Sequence, residues 1–260
     1  MTRDKLLLDV GGTFIKCSDG RIIPVDSDGS QEEIISALRK AVRGAEDLAS
    51  NGLSVAIPGP FDYSEGRFLM KHKFASVYGD YFADLVGMPR EKCRFVHDVV
   101  AMLLGEVGAN GENTALVTLG TGLGFAMFTD GRVLTNELGS PAVSIYARPF
   151  RDGILEDYVS KRGILGRYGD YAISVKEIAR RAYEGDSKAR RVFAETGSII
   201  GQSIKPILAE YDIQTLLLGG QISRSIDLFI PAITSELPSA LQISPISDFD
   251  NATFKGLLTI

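Results

Sequence analysis

An α/β fold in two lobes of related architecture is what this sequence predicts, on three observations. Short apolar runs of strand length alternate with longer stretches of helical apolar spacing. Three of the strand-like runs end in glycines, at Gly11-Gly12, at Gly120-Thr121-Gly122 and at Gly219-Gly220. The opening of the chain also recurs. Displaced by 111 positions, Leu8 falls on Leu119, Gly11 on Gly122, Phe14 on Phe125, and Asp19-Gly20-Arg21 on Asp130-Gly131-Arg132. Six matches in register, in the same strand–turn–strand order, indicate related halves. The turn-rich Ala109-Asn110-Gly111 divides them into lobes 1–109 and 110–246, with the C-terminal segment 247–260 assigned to the first.

Taken in order, LLLDV is a buried strand, TFIKCS a second after the glycine turn, and RIIPV a third after the hairpin dipeptide Asp19-Gly20. SQEEIISALRKAVRGA places Ile34, Ile35, Leu38, Ala41 and Val42 at helical spacing behind Ser30, a ready N-cap. SVAIPGP is a strand stopped by Pro-Gly-Pro, and CRFVHD a strand running directly into the helix VVAMLLGEVG. ALVTLGTGLGFAMFTDGRVLT repeats the opening hairpins. ILEDYVSKRGIL, VKEIARRAYEG, KARRVFAETGSIIGQSIKPILAEY and SIDLFIPAITSEL read as helices, with the strand TLLLGGQIS between the last two.

Composition narrows the function classes. The 260 residues are 45% hydrophobic and 23% charged, ordinary for a globular protein. A net charge of −5 without a Lys/Arg cluster argues against a nucleic-acid partner. No apolar run approaches the ~20 residues that span a bilayer, and the first is too short for a signal peptide, so the expectation is a cytoplasmic protein without a membrane partner. Two cysteines and two histidines, all scattered, supply neither a disulfide framework nor zinc-ligand spacing.

The glycine turns carry the chemistry. A turn without Cβ atoms lets backbone N–H groups approach an anion. Thr13 and Thr121 add hydroxyl donors and Lys16 a cation, while Asp9 suits Mg²⁺ held through water. Two such turns on related lobes would grip a polyphosphate, and the third would leave backbone for a flat purine.

DVGGTFIK, LGTGLG and LLLGGQIS, in this order and spacing, resemble the two phosphate motifs and the adenosine motif of the sugar kinase/Hsp70/actin superfamily. Within it, AIPGP, HDVVAMLLGE, ELGS, GILEDYVSKRGI and DNATFKGLL resemble segments of the ROK (repressor, open reading frame, kinase) family. The resemblance covers nearly the whole chain. It implies two ribonuclease H-like (actin-like ATPase) lobes with an active site in the cleft between them, and ATP-dependent, glucokinase-like phosphorylation of a hexose or related sugar with Mg²⁺. It assigns the nucleotide to Asp9, Gly11, Gly12, Thr13, Lys16, Gly120, Thr121, Gly122, Gly219, Gly220 and Gln221. It assigns the sugar to Gly59, Pro60, His97, Asp98, Glu137, Ser140 and Glu156. The family's catalytic base falls on Asp98, at a strand end and helix start, where a carboxylate is favoured as the anion and can take a hydroxyl proton. Homodimers are common in the family, and no heptad or apolar patch in this sequence establishes one.

The chain departs from the family on the sugar side. His97 stands where the family has Asn, and Ser140, followed by Pro141, replaces the His of its Glu-x-Gly-His motif. Ile154 stands where one zinc cysteine would be, so structural zinc is expected absent. Packing by Pro141, Ile145, Tyr146 and Phe150 is expected to hold the loop from Ser140 to Gly153. These changes fit a kinase with a shifted acceptor, a kinase that also uses polyphosphate, or a non-catalytic nucleotide- and sugar-binding regulator or pseudokinase. The Lys71-His72-Lys73 run reads as a solvated loop.

Overall fold

The computed structural model describes residues 5–107 and 111–260; the boundary read at Ala109-Asn110 lies outside them. The chain divides into two compact units, Met1–Glu106 with Thr135–Ala142 and Asp250–Ile260, and Val107–Leu134 with Val143–Phe249.

The first unit is built on a five-stranded sheet. Its strands are β1 (Leu6–Val10), β2 (Phe14–Cys17), β3 (Ile22–Pro24), β4 (Leu53–Ile57) and β5 (Cys93–His97), in the order β3-β2-β1-β4-β5. The hairpin strands β1, β2 and β3 pair antiparallel, while β4 joins β1 and β5 joins β4 in parallel. Alternation along β1 sends Leu6, Leu8 and Val10 into the core that α1 (Gln31–Val42) covers with Ile34, Leu38 and Ala41. Ser30 caps α1 in a full capping box with Glu33, as the sequence predicts. The opposite face takes α2 (Asp98–Leu104) and the C-terminal helix Ala252–Leu257, which pack on each other and on β4. These two helices touch through backbone, because a Cβ at Gly256 would lie 1.8 Å from Ala101 O. Only glycine permits that approach, and it fixes the helix that starts at Asp98.

The second unit repeats the sheet. β6 (Thr114–Leu119), β7 (Leu123–Thr129), β8 (Arg132–Val133), β9 (Thr215–Gly219) and β10 (Gln242–Pro245) run in the order β8-β7-β6-β9-β10 with the same strand senses. This is the ribonuclease H-like sheet, present twice. The repeat of Asp-Gly turns holds at the 111-residue spacing, at Asp19-Gly20 and Asp130-Gly131. The glycine turns close differently: Gly11 N–H donates to Phe14 O and Gly120 N–H to Gly122 O.

Helices α3 (Leu155–Val159), α4 (Lys161–Tyr168), α5 (Val175–Tyr183), α6 (Ser187–Glu210) and α7 (Ile230–Glu236) accompany the second sheet. The single helix read over ILEDYVSKRGIL is two, because Ser160 is extended between them. The segment before α7, Gln221–Leu228, is a kinked 3₁₀ stretch. No helix among the described residues is long and apolar enough to cross a membrane.

Candidate active site

In the first unit, register places the charged residues of the opening motif. Asp9 on β1 pairs with Lys16 on β2, so both side chains leave the same face, and Lys16 Nζ lies 3.8 Å from Asp9 Oδ2. Burial pushes the Asp9 carboxyl up to about 6; Lys16 opposes the rise and the charge of Asp98 adds to it. Asp9, Lys16 and Asp98 therefore share one electrostatic neighbourhood.

Asp98 begins α2 directly after β5. Its Oδ1 receives Val99 N–H at 2.7 Å and lies 2.8 Å from His97 Nδ1. Two acceptors do not approach that closely, so Nδ1 carries a proton and donates it. The longer 3.3 Å approach of Val99 N–H to Nδ1 is then no bond. Burial pushes the Asp98 carboxyl up, but the neighbouring His97, the Val99 N–H and the Lys73 ammonium outweigh it and hold the group below the usual carboxylate range. The result is an oriented, ionised carboxylate.

Tyr63 is one residue that sequence reasoning missed. Its buried phenol donates to Ile57 O at 2.9 Å and receives the Ser140 hydroxyl. Its ring lies 5.8 Å from that of His97. A Cβ at Gly59 would meet Tyr63 Oη at 3.3 Å, Ser140 Oγ at 3.4 Å and His97 Cδ2 at 3.5 Å, so these four residues surround one point. The only signal was a tyrosine two places beyond an apolar residue after Pro-Gly-Pro, which the core-burial reading absorbs.

The segment 135–142 reaches this point as a self-closed loop. Asn136 Oδ1 accepts Leu138 N–H and Ser140 N–H, and Leu138 O accepts Tyr63 N–H. Glu137 is exposed there and, among the described residues, has no hydrogen bond or ion pair. Of the residues expected to hold the longer loop to Gly153, Ile145 is buried and Phe150 meets Tyr158 edge-on at 5.0 Å. Tyr146 is instead 48% exposed; its carbonyl accepts Glu156 N–H, so backbone bonding shares the work expected of packing. Among the described residues no cluster of three or more His, Cys, Asp and Glu could hold a metal.

In the second unit the glycine turns lie side by side. Gly220 has φ +81° and a Cβ there would sit 2.3 Å from Leu119 O, so glycine is required on both counts. Gly120 has neither constraint: no atom lies within 4 Å of the position its Cβ would take. Its carbonyl accepts Lys161 N–H at 2.9 Å, tying the turn to the start of α4. Glu156 Oε2 accepts Leu123 N–H at 2.9 Å and Oε1 pairs with Arg162 at 3.0 Å, so this carboxylate braces the same turn. Thr121 and Gly122 are exposed, as is Gln221, which accepts Arg224 Nε–H at 2.9 Å. In the first unit Gly11 and Gly12 are half-buried, Thr13 and Pro60 exposed.

A twice-built ribonuclease H-like sheet, with glycine turns after β1, β6 and β9 and an oriented aspartate after β5, defines the class. The ROK family model matches residues 9–250, and the chain belongs to the ROK family. An N-acetylmannosamine kinase of Salmonella paratyphi B is 24% identical over 84% of this chain and 82% of its own length. Among solved structures, a ROK family glucokinase from Streptomyces griseus in complex with glucose and AMPPNP superposes with a TM-score of 0.78 at 19% identity, covering 97% of both chains. A ROK family transcriptional regulator, a homologue of the E. coli MLC protein, superposes with a TM-score of 0.79 at 17% identity, covering 97% of this chain and 76% of its own. These two likenesses show the same fold.

Proposed function

We propose that the protein transfers the γ-phosphoryl group of ATP to a hydroxyl of a hexose or an N-acetylated hexose, with Asp98 as general base. The observation that carries this reading is the state of Asp98: ionised, oriented by His97 and Val99, and next to the point ringed by Gly59, Tyr63, His97 and Ser140. The acceptor hydroxyl gives its proton to Asp98 and its oxygen forms the new bond to phosphorus. The bond to the β,γ-bridging oxygen breaks, and its electron pair leaves on ADP. Glu137 and Ser140 are assigned to neighbouring hydroxyls. Glu156 has two of its roughly four acceptor sites engaged, which leaves the others open.

The open position at Gly120 supports ATP, since neither backbone strain nor a neighbour accounts for its missing side chain, whereas a phosphate would fill the space. Gly11, Gly12, Thr13, Lys16, Thr121, Gly122, Gly219 and Gln221 are assigned with it. Asp9 offers the carboxylate oxygens that Mg²⁺ takes and is assigned to hold the ion through water; the bound ion would neutralise phosphate charge. The protein is assigned to the cytoplasm, with the sugar as its partner and no nucleic acid.

ADP release measured against glucose, mannose and N-acetylmannosamine tests the reading, with Asp98→Asn as the control. At least one sugar is expected to stimulate release and the variant to abolish it. Sugar-stimulated release that survives the substitution sinks the assignment of Asp98. The likeness to a ROK regulator keeps a second reading, a sugar-binding protein without turnover; calorimetric sugar binding with no ADP release from any acceptor would establish it instead.

A further inference from the structure

Lys73 belongs to the run that reads as solvated, and Lys71 and His72 are indeed exposed. Lys73 is not. It is half-buried, and its Cδ lies 4.0 Å from the position a Cβ on Gly12 would occupy, against the first glycine turn. The backbone holds it there. Gly12 O accepts Ser27 N–H at 3.0 Å, and Ser27 O accepts Phe74 N–H at 2.6 Å. Phe74 is fully buried with φ +50°, its ring 5.7 Å from that of Phe68, so the residue after Lys73 is locked in an unusual conformation by packing. The lysine is thus fixed to the turn by two backbone bonds and an aromatic anchor.

Its ammonium has no ion pair or hydrogen bond among the described residues, yet it lies within electrostatic reach of Asp98. Long lysine stems ordinarily carry their charge out to water, whereas the stem of Lys73 lies along the first glycine turn and its charge has no partner among the described residues. A lysine built against a glycine turn, with its charge within electrostatic reach of a carboxylate and no protein partner among the described residues, suits an anion.

We propose that Lys73 binds the transferred phosphoryl group, contacting its oxygens as the group passes to the acceptor beside Asp98. This inference rests on the kinase reading. It distinguishes two cations on the first glycine turn. Lys16 is paired with Asp9 at 3.8 Å, and Lys73 is left free for the phosphate.

Calorimetric titration of the whole chain with AMPPNP and with ADP, for the parent, Lys73→Met and Lys73→Arg, tests it. A charge-assisted bond to phosphate predicts that Lys73→Met weakens AMPPNP by about tenfold or more while leaving ADP unchanged, and that Lys73→Arg recovers most of the loss. With an acceptor sugar present, kcat should fall in Lys73→Met with little change in the sugar KM. Equal affinity of parent and Lys73→Met for AMPPNP overturns the inference, as does equal weakening of AMPPNP and ADP, which marks a structural role. A parent that binds neither nucleotide removes the kinase reading and the inference with it. A parent that binds both and is indifferent to Lys73→Met removes the inference alone.

Discussion

The two units share one sheet, strand for strand, and differ in the residues placed just beyond the same strand ends. After β4 in the first unit comes Pro58-Gly59-Pro60, and after its counterpart β9 comes Gly220 pressed on Leu119 O. After β5 comes Asp98 with its own proton donor, and after β10 comes Ile246, which is buried. The first unit therefore gathers ionisable and hydroxyl groups, namely Asp9, Lys16, Tyr63, Lys73, His97, Asp98 and Ser140. The second offers mostly backbone, with Glu156 used to hold it in place. Identical scaffolding carries ionisable and hydroxyl side chains at the strand ends of one copy and mostly backbone at those of the other.

The largest break in this comparison is expected from Asp98→Asn. Loss of a general base should lower kcat by about 10²–10⁴ while AMPPNP binding by calorimetry stays as in the parent. Equal loss of both would mean that the proton chemistry and the anion space cannot be separated between units. Next come the glycines that each unit needs for close approach. Gly256→Ala drives a methyl into Ala101 O, and Gly220→Ala combines overlap with a disfavoured φ, each costing about 1–3 kcal/mol or more in urea unfolding. Gly120→Ala meets nothing and should leave stability intact while weakening AMPPNP; a stability loss there would undo the argument for a vacant phosphate position.

A finer test is pH. The proposed base catalysis should fail as pH falls through the Asp98 pKa. Burial raises that pKa, but His97, the Val99 N–H and Lys73 hold it below the usual carboxylate range, with Asp9 and Tyr63 also facing the group. His97→Ala removes the largest of the lowering influences, so the acid limb of kcat/KM should move to higher pH. An unmoved limb would show that the limb reports another group. The smallest effect separates two helix caps. Ser30→Ala breaks a reciprocal box and should cost about 1 kcal/mol, whereas Ser174, which makes only the bond to Glu177 N–H, should cost less on the same change.

Much of this was legible in the chain itself. Apolar alternation and turn dipeptides located all ten strands of the two main sheets except β10, whose Gln242–Pro245 has neither pattern nor bounding glycine because it is an edge strand. A strand running into a helix without a turn was readable around Asp98, and the resemblance to the ROK family singled that residue out. Tyr63 and Lys73 were not, because their roles depend on contacts far along the chain, Tyr63 with Ser140 and Lys73 with the turn at Gly12 through Ser27. The 111-residue repeat located the second set of hairpins but placed its glycine turn off register, since Gly120, rather than Gly122, opens that turn as Gly11 opens the first.

The C-terminal helix Ala252–Leu257 lies on α2 through Gly256, and this contact has a consequence for biosynthesis. The strands of the first unit leave the ribosome early, yet the helix that clamps the backbone behind Asp98 is translated only after the whole second sheet. The half that emerges first is completed last. A chain interrupted before residue 250 would carry both glycine-turn hairpins and an Asp98 whose helix has lost its backing.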